Sequence, residues 1–280
     1  MRIGLMVHGR REDAVAAARK AAAYLLSRGV SVLAEDDAAA VLKDLGAEVT
    51  PFSQAHGADV IVALGGDGTL LRGAQYALRW DASLLGVNMG RVGFLAEIEP
   101  EALEEALDRV IAGTARSENR PVLEVCCEGR TWYGLNDVVI SRGGYSRLIT
   151  IDALVDGDST GRYVADGLIV ATPTGSTGYC LSAGGPVVSP KVDCMVITPI
   201  CAHTLQHRPC VVPGGAHIRL SLWAEDVQSA SLEVDGQTCM ELHSGMQVSV
   251  RRDERALRLI RMRETSFFQT VRDKLTEWTR

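Results

Sequence analysis

The chain has 280 residues, of which 46% are hydrophobic and 23% are charged, and its formal net charge is −6. The longest apolar runs fall far short of the roughly 18 residues that cross a bilayer. The N-terminus lacks the pattern of a signal peptide, and the mild acidity offers no general attraction to nucleic acid. We therefore expect a cytoplasmic globular protein without a membrane or nucleic-acid partner.

Strands and helices alternate in the first part of the chain. Residues 59–64 (DVIVAL) are nearly all apolar, as in a parallel strand that is covered on both faces. Apolar runs predict strands over residues 2–8, 30–34, 59–64 and 83–87, and helical spacing predicts helices over residues 11–28, 36–45, 70–80 and 100–111. The alternation indicates an α/β N-terminal domain over residues 1–113, doubly wound around a mostly parallel sheet.

After about residue 114 the pattern changes to short β-branched runs separated by glycine and aspartate turns. With almost no helix between them, these runs predict a β-rich, sandwich-like C-terminal domain over residues 114–262. Helical spacing returns over residues 266–278, so we expect residues 263–280 to form a helical tail. The predicted strands cover residues 123–127, 138–141, 149–155, 168–171, 192–197, 218–223, 231–234, 246–250 and 257–261.

The sequence predicts no metal site made by the protein alone. The seven cysteines contain no Cys-x-x-Cys pair, so we expect small buried hydrophobic residues and neither a disulfide framework nor a zinc ribbon. His203 and His207 stand four residues apart, but the glutamate of a zinc-protease helix is absent. Pro199 and Pro209 also argue against a long helix there.

The segment GGDGT follows directly on the strand predicted over residues 59–64. Gly65, Gly66 and Gly68 allow close approach of a ligand, and a helix start after Thr69 would point backbone N–H groups at one spot. This arrangement suits a phosphate, although it is neither a Walker A loop nor G-x-G-x-x-G. Asp67 is a poor choice in an anion site unless it accepts a proton or orients a hydroxyl group. The alternative is that Asp67 caps the next helix.

Two further polar segments follow strands in the second half. Residues 166–186 combine glycines and hydroxyl side chains with Tyr179, and so offer hydrogen bonds and one ring for stacking. Asn136 and Asp137 precede an apolar run. Taken alone, the first segment could be a Ser/Thr-rich turn and the second a polar strand edge.

These segments, in this order, resemble the NAD kinase family over residues 60–240. The resemblance is carried by GGDGT, by NMGRVGFL at residues 88–95, by Asn136-Asp137, by DG…TPTGSTGY…SAGGP at residues 166–186 and by the proline, histidine and arginine residues at 199–209. GGDGT alone would be weak evidence, since lipid kinases and phosphofructokinases carry similar loops. The combination is specific.

The resemblance implies phosphoryl transfer from ATP, or from polyphosphate in some members, to the adenosine ribose 2′-hydroxyl of NAD, giving NADP. A divalent cation, expected to be Mg²⁺, would assist. It also implies that the C-terminal tail packs back on the N-terminal domain and that the protein is a homodimer or homotetramer. The alternatives are a diacylglycerol- or sphingosine-type lipid kinase and a non-catalytic NAD(P)-binding regulator.

The resemblance also implies roles for individual residues. Asp67 would be the proton acceptor, within a phosphate loop that includes Gly65, Gly66 and Thr69. Substrate would be bound by Gly68, Arg72, Asn136, Asp137, Arg147, Asp166, Thr177, Gly178, Tyr179, Ser182 and Gln237. The chain departs from the family pattern at two positions, because Gly178 stands where the family usually has alanine and Asp137 where it usually has glutamate.

Overall fold

The structure is a computed structural model that describes residues 1–9, 11–42, 49–90, 93–96, 98–143, 148–203, 206–223, 230–262 and 266–277. The chain divides into two compact units. The first unit comprises Met1–Asn119 and Leu257–Arg280, and the second comprises Arg120–Ala256.

The first unit is built on a parallel sheet. Strand β1 lies between β2 and β4, and the order of the sheet is β3-β2-β1-β4-β5. Every residue of β4 is buried, as the apolar run predicts for a strand covered on both faces. The elements are β1 (Arg2–Val7), α1 (Glu12–Ser27), β2 (Ser31–Ala34), α2 (Asp36–Leu42), β3 (Val49–Pro51), β4 (Val60–Gly65), α3 (Asp67–Trp80), β5 (Ser83–Asn88) and α4 (Leu103–Ile111).

The second unit contains two antiparallel sheets. Its strands are β6 (Arg116–Cys127), β7 (Arg130–Gly134), β8 (Asp137–Arg142), β9 (Ile149–Val155), β10 (Asp158–Ala165), β11 (Gly167–Ala171), β12 (Cys194–Ile200), β13 (Cys210–Pro213), β14 (Ile218–Trp223), β15 (Ala230–Val234), β16 (Gln237–Leu242) and β17 (Gln247–Arg261), with the short helix α5 (Tyr179–Ser182) after β11. One sheet has the order β10-β9-β14-β17, and the other has the order β13-β12-β11-β8-β15-β16.

One apolar core lies between these two sheets. Ile151 and Leu220 from the first sheet and Ile140 and Val170 from the second are fully buried in the same cluster. Alternate residues along β14 are buried, as expected for a strand with one face on a core. The second unit is therefore the sandwich that the β-branched runs predict.

The chain returns to the first unit at Leu257. The end of β17 pairs in parallel with β5, joining Arg258 to Ser83 and Leu259 to Leu84. The tail then forms helix α6 (Phe267–Glu277), in which Val271 is buried.

The predicted fold class is confirmed, but several elements differ from the sequence prediction. The helix predicted from residue 70 begins at Asp67, and the runs at 246–250 and 257–261 are one continuous strand, β17. Strands β3, β7, β10, β13 and β16 were not predicted; most are short or rich in polar residues, and pairing with a neighbouring strand defines them. The helix predicted over residues 36–45 is described as far as Leu42, and the remainder lies outside the described residues.

The cysteines form no disulfide, and all seven lie within the described residues. Cys127, Cys180 and Cys194 are buried as expected, whereas Cys201 is exposed, so the expectation of burial is wrong for that residue. Within the described ranges, none of the helices has the length and hydrophobicity needed to cross a bilayer.

Candidate functional site

Asp67 lies at the start of α3, just past the carboxyl end of β4. The N-cap position of α3 is occupied by Gly66, and Asp67 is the first helical residue, so Asp67 is not the N-cap that the helix-cap alternative requires. Instead its carboxylate accepts hydrogen bonds from the backbone N–H groups of Phe94 at 2.9 Å, Leu95 at 3.2 Å and Ala96 at 3.5 Å. The loop after β5 therefore holds Asp67 in one orientation.

The Asp67 carboxylate keeps the capacity to accept one more hydrogen bond. A carboxylate has about four acceptor positions on its two oxygens. Oδ1 accepts from Leu95 and Ala96, and Oδ2 accepts from Phe94. Among the described residues, no other donor contacts Oδ2, so a position remains there for a further donor such as a hydroxyl group.

Two glycines permit the close packing around this loop. A Cβ atom on Gly93 would lie 1.9 Å from Asp67 Oδ1, and a Cβ atom on Gly65 would lie 2.3 Å from Thr69 Oγ1. Thr69 is 3% exposed, and its hydroxyl has no hydrogen-bond partner among the described residues. A buried polar group without a partner is rare in folded proteins and is typical of a position that a ligand or water completes.

A cavity of about 870 Å³ lies beside the start of α3, within the first unit. Its volume falls within the range of roughly 300–1,000 Å³ that is usual for small-molecule sites. It is lined by Val7, His8, Gly9, Arg11, Val15, Ala18, Glu35, Asp37, Ala38, Val41, Leu42, Gly66, Gly68, Thr69 and Arg72. The cavity thus brings Gly66, Gly68, Thr69 and Arg72 of the predicted site to one place.

Arg72 reaches across this cavity to the ends of β1 and β2. Its Nη1 donates to Glu35 Oε1 at 3.1 Å, and its Nη2 donates to the carbonyl oxygen of Val7 at 3.1 Å. Burial raises the pKa of Glu35, and the neighbouring Arg72 charge partly offsets this by lowering it. The cavity therefore contains both signs of charge.

In the second unit, Asp235 holds the segment that carries Asn136 and Asp137. Its carboxylate accepts hydrogen bonds from the backbone N–H groups of Leu135 at 2.8 Å, Asn136 at 2.7 Å and Asp137 at 3.3 Å. Asp235 occupies the left-handed region, with φ 49°, in the turn between β15 and β16. Its own N–H donates to the carbonyl oxygen of Asp137 at 3.0 Å. The same turn leads into Gln237, the first residue of β16.

The hydroxyl side chains of the TPTGST segment, residues 172–177, are directed into the protein. Thr172 Oγ1 donates to the carbonyl oxygen of Leu135 at 2.6 Å, and Thr177 Oγ1 donates to that of Thr174 at 3.2 Å. Ser176 Oγ donates to the carbonyl oxygen of Pro173 at 2.7 Å. These hydroxyls therefore fix the shape of the loop with their O–H donors, while their oxygens still have acceptor positions, and ligand binding by Thr172, Ser176 and Thr177 stays a prediction.

Tyr179 presents its ring at the surface of the second unit. It is 48% exposed, begins α5, and lies near the carboxyl groups of Asp137 and Asp166. Desolvation, followed by nearby negative charges that include these two residues and Glu233, raises the pKa of Tyr179. Asp137 and Asp166 thus lie within electrostatic range of Tyr179.

The remaining predicted residues of the second unit differ in their surroundings. Asp166 forms an ion pair with Arg142, with Oδ1 and Nε 2.7 Å apart. Ser182 ends α5 and is exposed, as is Gln237. Asn136 Oδ1 is buried without a hydrogen-bond partner among the described residues. Arg147, which was also predicted to bind substrate, lies outside the described residues.

Asp137 is the most strongly perturbed of the acids near Tyr179. It is 5% exposed, and desolvation, together with the charges of Asp235 and Glu233, raises its pKa to about 7. At neutral pH the group is therefore balanced between a carboxylic acid that can donate and a carboxylate that can only accept.

Sequence reasoning missed three residues that the geometry singles out. His8 and Glu35 line the cavity, and His8 Nδ1 is buried without a partner among the described residues. Asp235 was missed because an Asp-Gly pair between two strands indicates only a hairpin turn. For His8 and Glu35 the available signal was their position directly after β1 and β2, where ligands of parallel sheets bind.

Comparisons with known proteins decide the family. The chain matches the model of the ATP-NAD kinase N-terminal domain over residues 3–115 and that of the ATP-NAD kinase C-terminal domain over residues 135–262. An NAD kinase from Moorella thermoacetica is 43% identical over 260 residues, which are 91% of this chain and 82% of that protein. The chain belongs to the NAD kinase family.

Two solved structures of the NAD kinase fold are similar to the whole chain. Yeast NADH kinase complexed with NADH matches with a TM-score of 0.88 and 26% identity, covering 99% of this chain and 87% of that one. An NAD kinase from Archaeoglobus fulgidus in complex with ATP matches with a TM-score of 0.76 and 27% identity, covering 99% of each chain.

The departure from the NAD kinase pattern at Gly178 is small in structural terms. A Cβ atom there would lie 3.3 Å from the carbonyl oxygen of Gly175 and 3.5 Å from Asn136 Nδ2. Alanine would therefore require a shift of only a few tenths of an ångström. The glycine leaves the hydrogen bond from Gly178 N–H to the Gly175 carbonyl oxygen in place, at 2.9 Å.

We expect Asp235 to be a positioning residue for the NAD site of this family member. Asn tolerates the left-handed backbone, but in Asp235→Asn the amide nitrogen cannot accept an N–H hydrogen bond. The unpaired N–H should loosen the Asn136–Asp137 segment, raising KM for NAD by about 10-fold with less than a threefold change in kcat. Steady-state kinetics measure this difference.

The matched control for Asp235→Asn is Asp156→Asn. Asp156 also has a left-handed φ, of 53°, and accepts a backbone N–H, from His217 at 2.8 Å, but in the turn between β9 and β10. An unchanged KM for NAD in Asp235→Asn, or the same rise in both variants, would contradict the positioning role.

Proposed function

We propose that this NAD kinase family member transfers the terminal phosphoryl group of ATP to the adenosine ribose 2′-hydroxyl of NAD, giving NADP and ADP. The observation that carries the proposal is the Asp67 carboxylate, fixed by the backbone of residues 94–96 with one acceptor position left. This geometry supports a general base, because a base must hold its carboxylate within hydrogen-bond reach of the proton that it accepts.

The reaction requires a proton acceptor and groups that stabilise negative charge near Asp67. As the ribose oxygen forms its bond to phosphorus, the proton of the hydroxyl passes to Asp67, and the bond from phosphorus to the ADP oxygen breaks. The negative charge on the transferred group requires nearby N–H donors and cations. Gly66 and Gly68 at the start of α3 supply backbone without side-chain obstruction, and a helix N-terminus favours anions.

The cavity of the first unit suits the phosphoryl donor. Its lining includes Arg11 and Arg72 as cations, together with the buried hydroxyl of Thr69 that lacks a partner among the described residues. A family member from A. fulgidus was solved in complex with ATP. We therefore infer that ATP occupies this cavity with its phosphates towards Gly66–Thr69.

The residues around Tyr179 suit the NAD acceptor. We infer that Tyr179 stacks on a ring of the dinucleotide and that Asn136 and Asp137 bind its adenosine part, with Asp166 towards the nicotinamide end. The partnerless Oδ1 of Asn136 supports a ligand donor at that position. Further contacts are proposed for Gly68, Arg147, Thr177, Gly178, Ser182 and Gln237. The hydroxyl of Thr177 donates to the carbonyl oxygen of Thr174 and can still accept a hydrogen bond from a ligand.

A divalent cation is proposed to arrive with ATP as part of that substrate. Among the described residues, no group of three or more His, Cys, Asp or Glu side chains is placed to hold a metal ion. Mg²⁺ commonly keeps several waters and is bound through one or two carboxylates and the substrate phosphates. The residues present therefore fit a cation carried by the nucleotide.

Two further proposals rest on the family resemblance alone. We infer a cytoplasmic location and a homodimer or homotetramer. Light scattering coupled to size-exclusion chromatography, which gives the mass of the particle, tests the second inference. A particle with the 30.1 kDa mass of one chain would contradict it.

The whole proposal is tested by incubating the purified protein with NAD, ATP and Mg²⁺ and measuring NADP. Polyphosphate as donor and diacylglycerol or sphingosine as acceptor are run alongside. NADP formation from ATP supports the proposal, whereas phosphorylation of the lipid alone, or binding of NAD without turnover, would favour the alternatives.

We expect Asp67→Asn to lower kcat by about 10²–10⁴-fold, the range typical of a general base. The amide cannot take the proton, and its nitrogen cannot accept the loop N–H bonds that Asp67 accepts. Steady-state assays at saturating NAD and ATP measure the loss. A variant that retains more than a tenth of the wild-type kcat would rule out Asp67 as the base.

A second variant tests whether the orientation of the Asp67 carboxylate matters when the carboxylate itself is retained. Gly93→Ala keeps the carboxylate but places a Cβ atom 1.9 Å from its Oδ1, so it should displace the group and also lower kcat. Gly215→Ala is the control, because its added Cβ atom meets no atom within 4 Å. Wild-type kcat in Gly93→Ala would show that the orientation seen here is not required.

We expect Tyr179 to act by stacking more than through its hydroxyl. Base–aromatic stacking contributes about 1–3 kcal/mol, whereas a neutral hydrogen bond contributes about 0.5–1.5 kcal/mol. Tyr179→Ala should therefore raise KM for NAD strongly and Tyr179→Phe only mildly. Equal losses in both variants would identify the hydroxyl as the important group.

We expect KM for NAD to fall as the pH rises through 7. The pKa of Asp137 is about 7 in the folded protein, above the usual carboxyl value, so the group is protonated at pH 6 and ionised at pH 8. If the ionised form accepts the ribose hydroxyls, KM should fall about 10-fold between these pH values. Asp137→Asn should abolish this dependence; an equal slope in that variant would assign it to another group.

A further inference from the structure

Glu35 lies one strand away from the point where the chain reverses its direction of travel across the parallel sheet, which is the crevice between β1 and β4. The chain passes from β1 to β2 on one side, and later returns to β4 on the other side of β1. Ligands of open parallel sheets bind outside the carboxyl ends of the strands at such a point. Glu35 directly follows β2 and lines the cavity.

The two ends of the cavity differ in chemistry. Gly66, Gly68 and Thr69, which belong to the start of α3, provide the end that suits phosphate. The lining from α1 and α2 is mostly apolar and comprises Val15, Ala18, Ala38, Val41 and Leu42, with Glu35 and Asp37 beside it. A nucleotide has the same polarity, with charged phosphates at one end and an apolar base at the other, joined by a ribose.

Glu35 presents a carboxylate oxygen to this cavity from the end of β2. Its side chain is 24% exposed, and Oε1 is held by Arg72 Nη1 at 3.1 Å. Oε2 has no hydrogen-bond partner among the described residues. An ionised carboxylate only accepts hydrogen bonds, so it suits the two O–H donors of a ribose diol and repels phosphate.

A second observation indicates that this cavity holds a polar ligand. Thr69 is 3% exposed and lines the cavity, and its hydroxyl lacks a partner within the described part of the chain. The observation is independent of Glu35, because the two residues come from different strand ends.

We propose that Glu35 binds the ribose diol of the phosphoryl-donor nucleotide and so makes the protein select a ribonucleoside triphosphate over donors without that diol. The inference rests on the proposed function, in which ATP occupies the cavity. Arg72 acts as a positioning residue for Glu35, holding one oxygen so that the other faces the ribose.

The test compares ATP with 2′-deoxy-ATP and 3′-deoxy-ATP as donors. A hydrogen bond to a charged group corresponds to a difference of about 10- to 100-fold. The wild-type protein should therefore use ATP at least 10-fold more efficiently, in kcat/KM, than one or both deoxy analogues. In Glu35→Ala the efficiencies of the three donors should agree within threefold, and Glu35→Gln should give an intermediate ratio.

Asp37→Ala is the matched control, since it removes the same charge from the same cavity. It should retain the wild-type ratio between ATP and its deoxy analogues, whatever happens to overall activity. A ratio near one in the wild-type protein, a wild-type ratio in Glu35→Ala, or loss of the ratio in Asp37→Ala would overturn the proposal. Thermal unfolding of each variant checks that it is folded.

The ratio also separates this proposal from the proposed function. If the wild-type protein makes no NADP from any donor, the proposed function fails. Equilibrium binding of ATP and of the two deoxy analogues to the same proteins then measures the same ratio. A preference for ATP that disappears in Glu35→Ala would support the role of Glu35 even then, and its absence would overturn it.

Discussion

The hydrogen bonds between the Asp67 carboxylate and the backbone of residues 94–96 are the constraint on which the candidate site depends. Strands β4 and β5 are parallel neighbours, with Gly65 paired to Asn88, so the loops that follow them leave the sheet side by side. The carboxylate joins these loops, and only a glycine at position 93 leaves room for it. The group that ties the loops together is thus the one proposed to accept the proton, and its orientation is set before substrate arrives.

Much of this arrangement could be predicted from short-range pattern. The all-apolar run at 59–64 indicates a buried parallel strand, and its direct continuation into GGDGT places the loop at a carboxyl end of the sheet. The start of α3 was predicted three residues too late, because the apolar spacing that indicates this helix begins only at Leu70, whereas the helix itself begins at Asp67. An acidic residue in the first turn was the available signal for the earlier start.

The roles of polar side chains were harder to predict than their location. The TPTGST segment indicates a ligand loop, yet two of its hydroxyl groups donate to backbone carbonyl oxygens. Thr172 donates to Leu135, which is 37 residues away in sequence, and Ser176 donates to Val188, which is 12 residues away. Composition alone does not distinguish a hydroxyl that meets a ligand from one that holds the loop. Glu35 and Asp235 were missed for the related reason that only tertiary contacts, with Arg72 and with the backbone at 135–137, distinguish them from ordinary surface acids.

The distribution of charge gives the two candidate sites different preferences. In the cavity of the first unit, Arg11 and Arg72 are offset by Glu35 and Asp37, and the backbone N–H groups at the start of α3 form the part that favours phosphate. Desolvation is the main cause of the raised pKa of Tyr179, and the nearby carboxyl groups of Glu233, Asp166 and Asp137 add to it, so their ionised forms contribute a negative potential there. Such a potential repels a triphosphate and favours hydroxyl donors and a cationic nicotinamide ring. Under the proposed function, the placement of donor and acceptor therefore depends on charge as well as on shape.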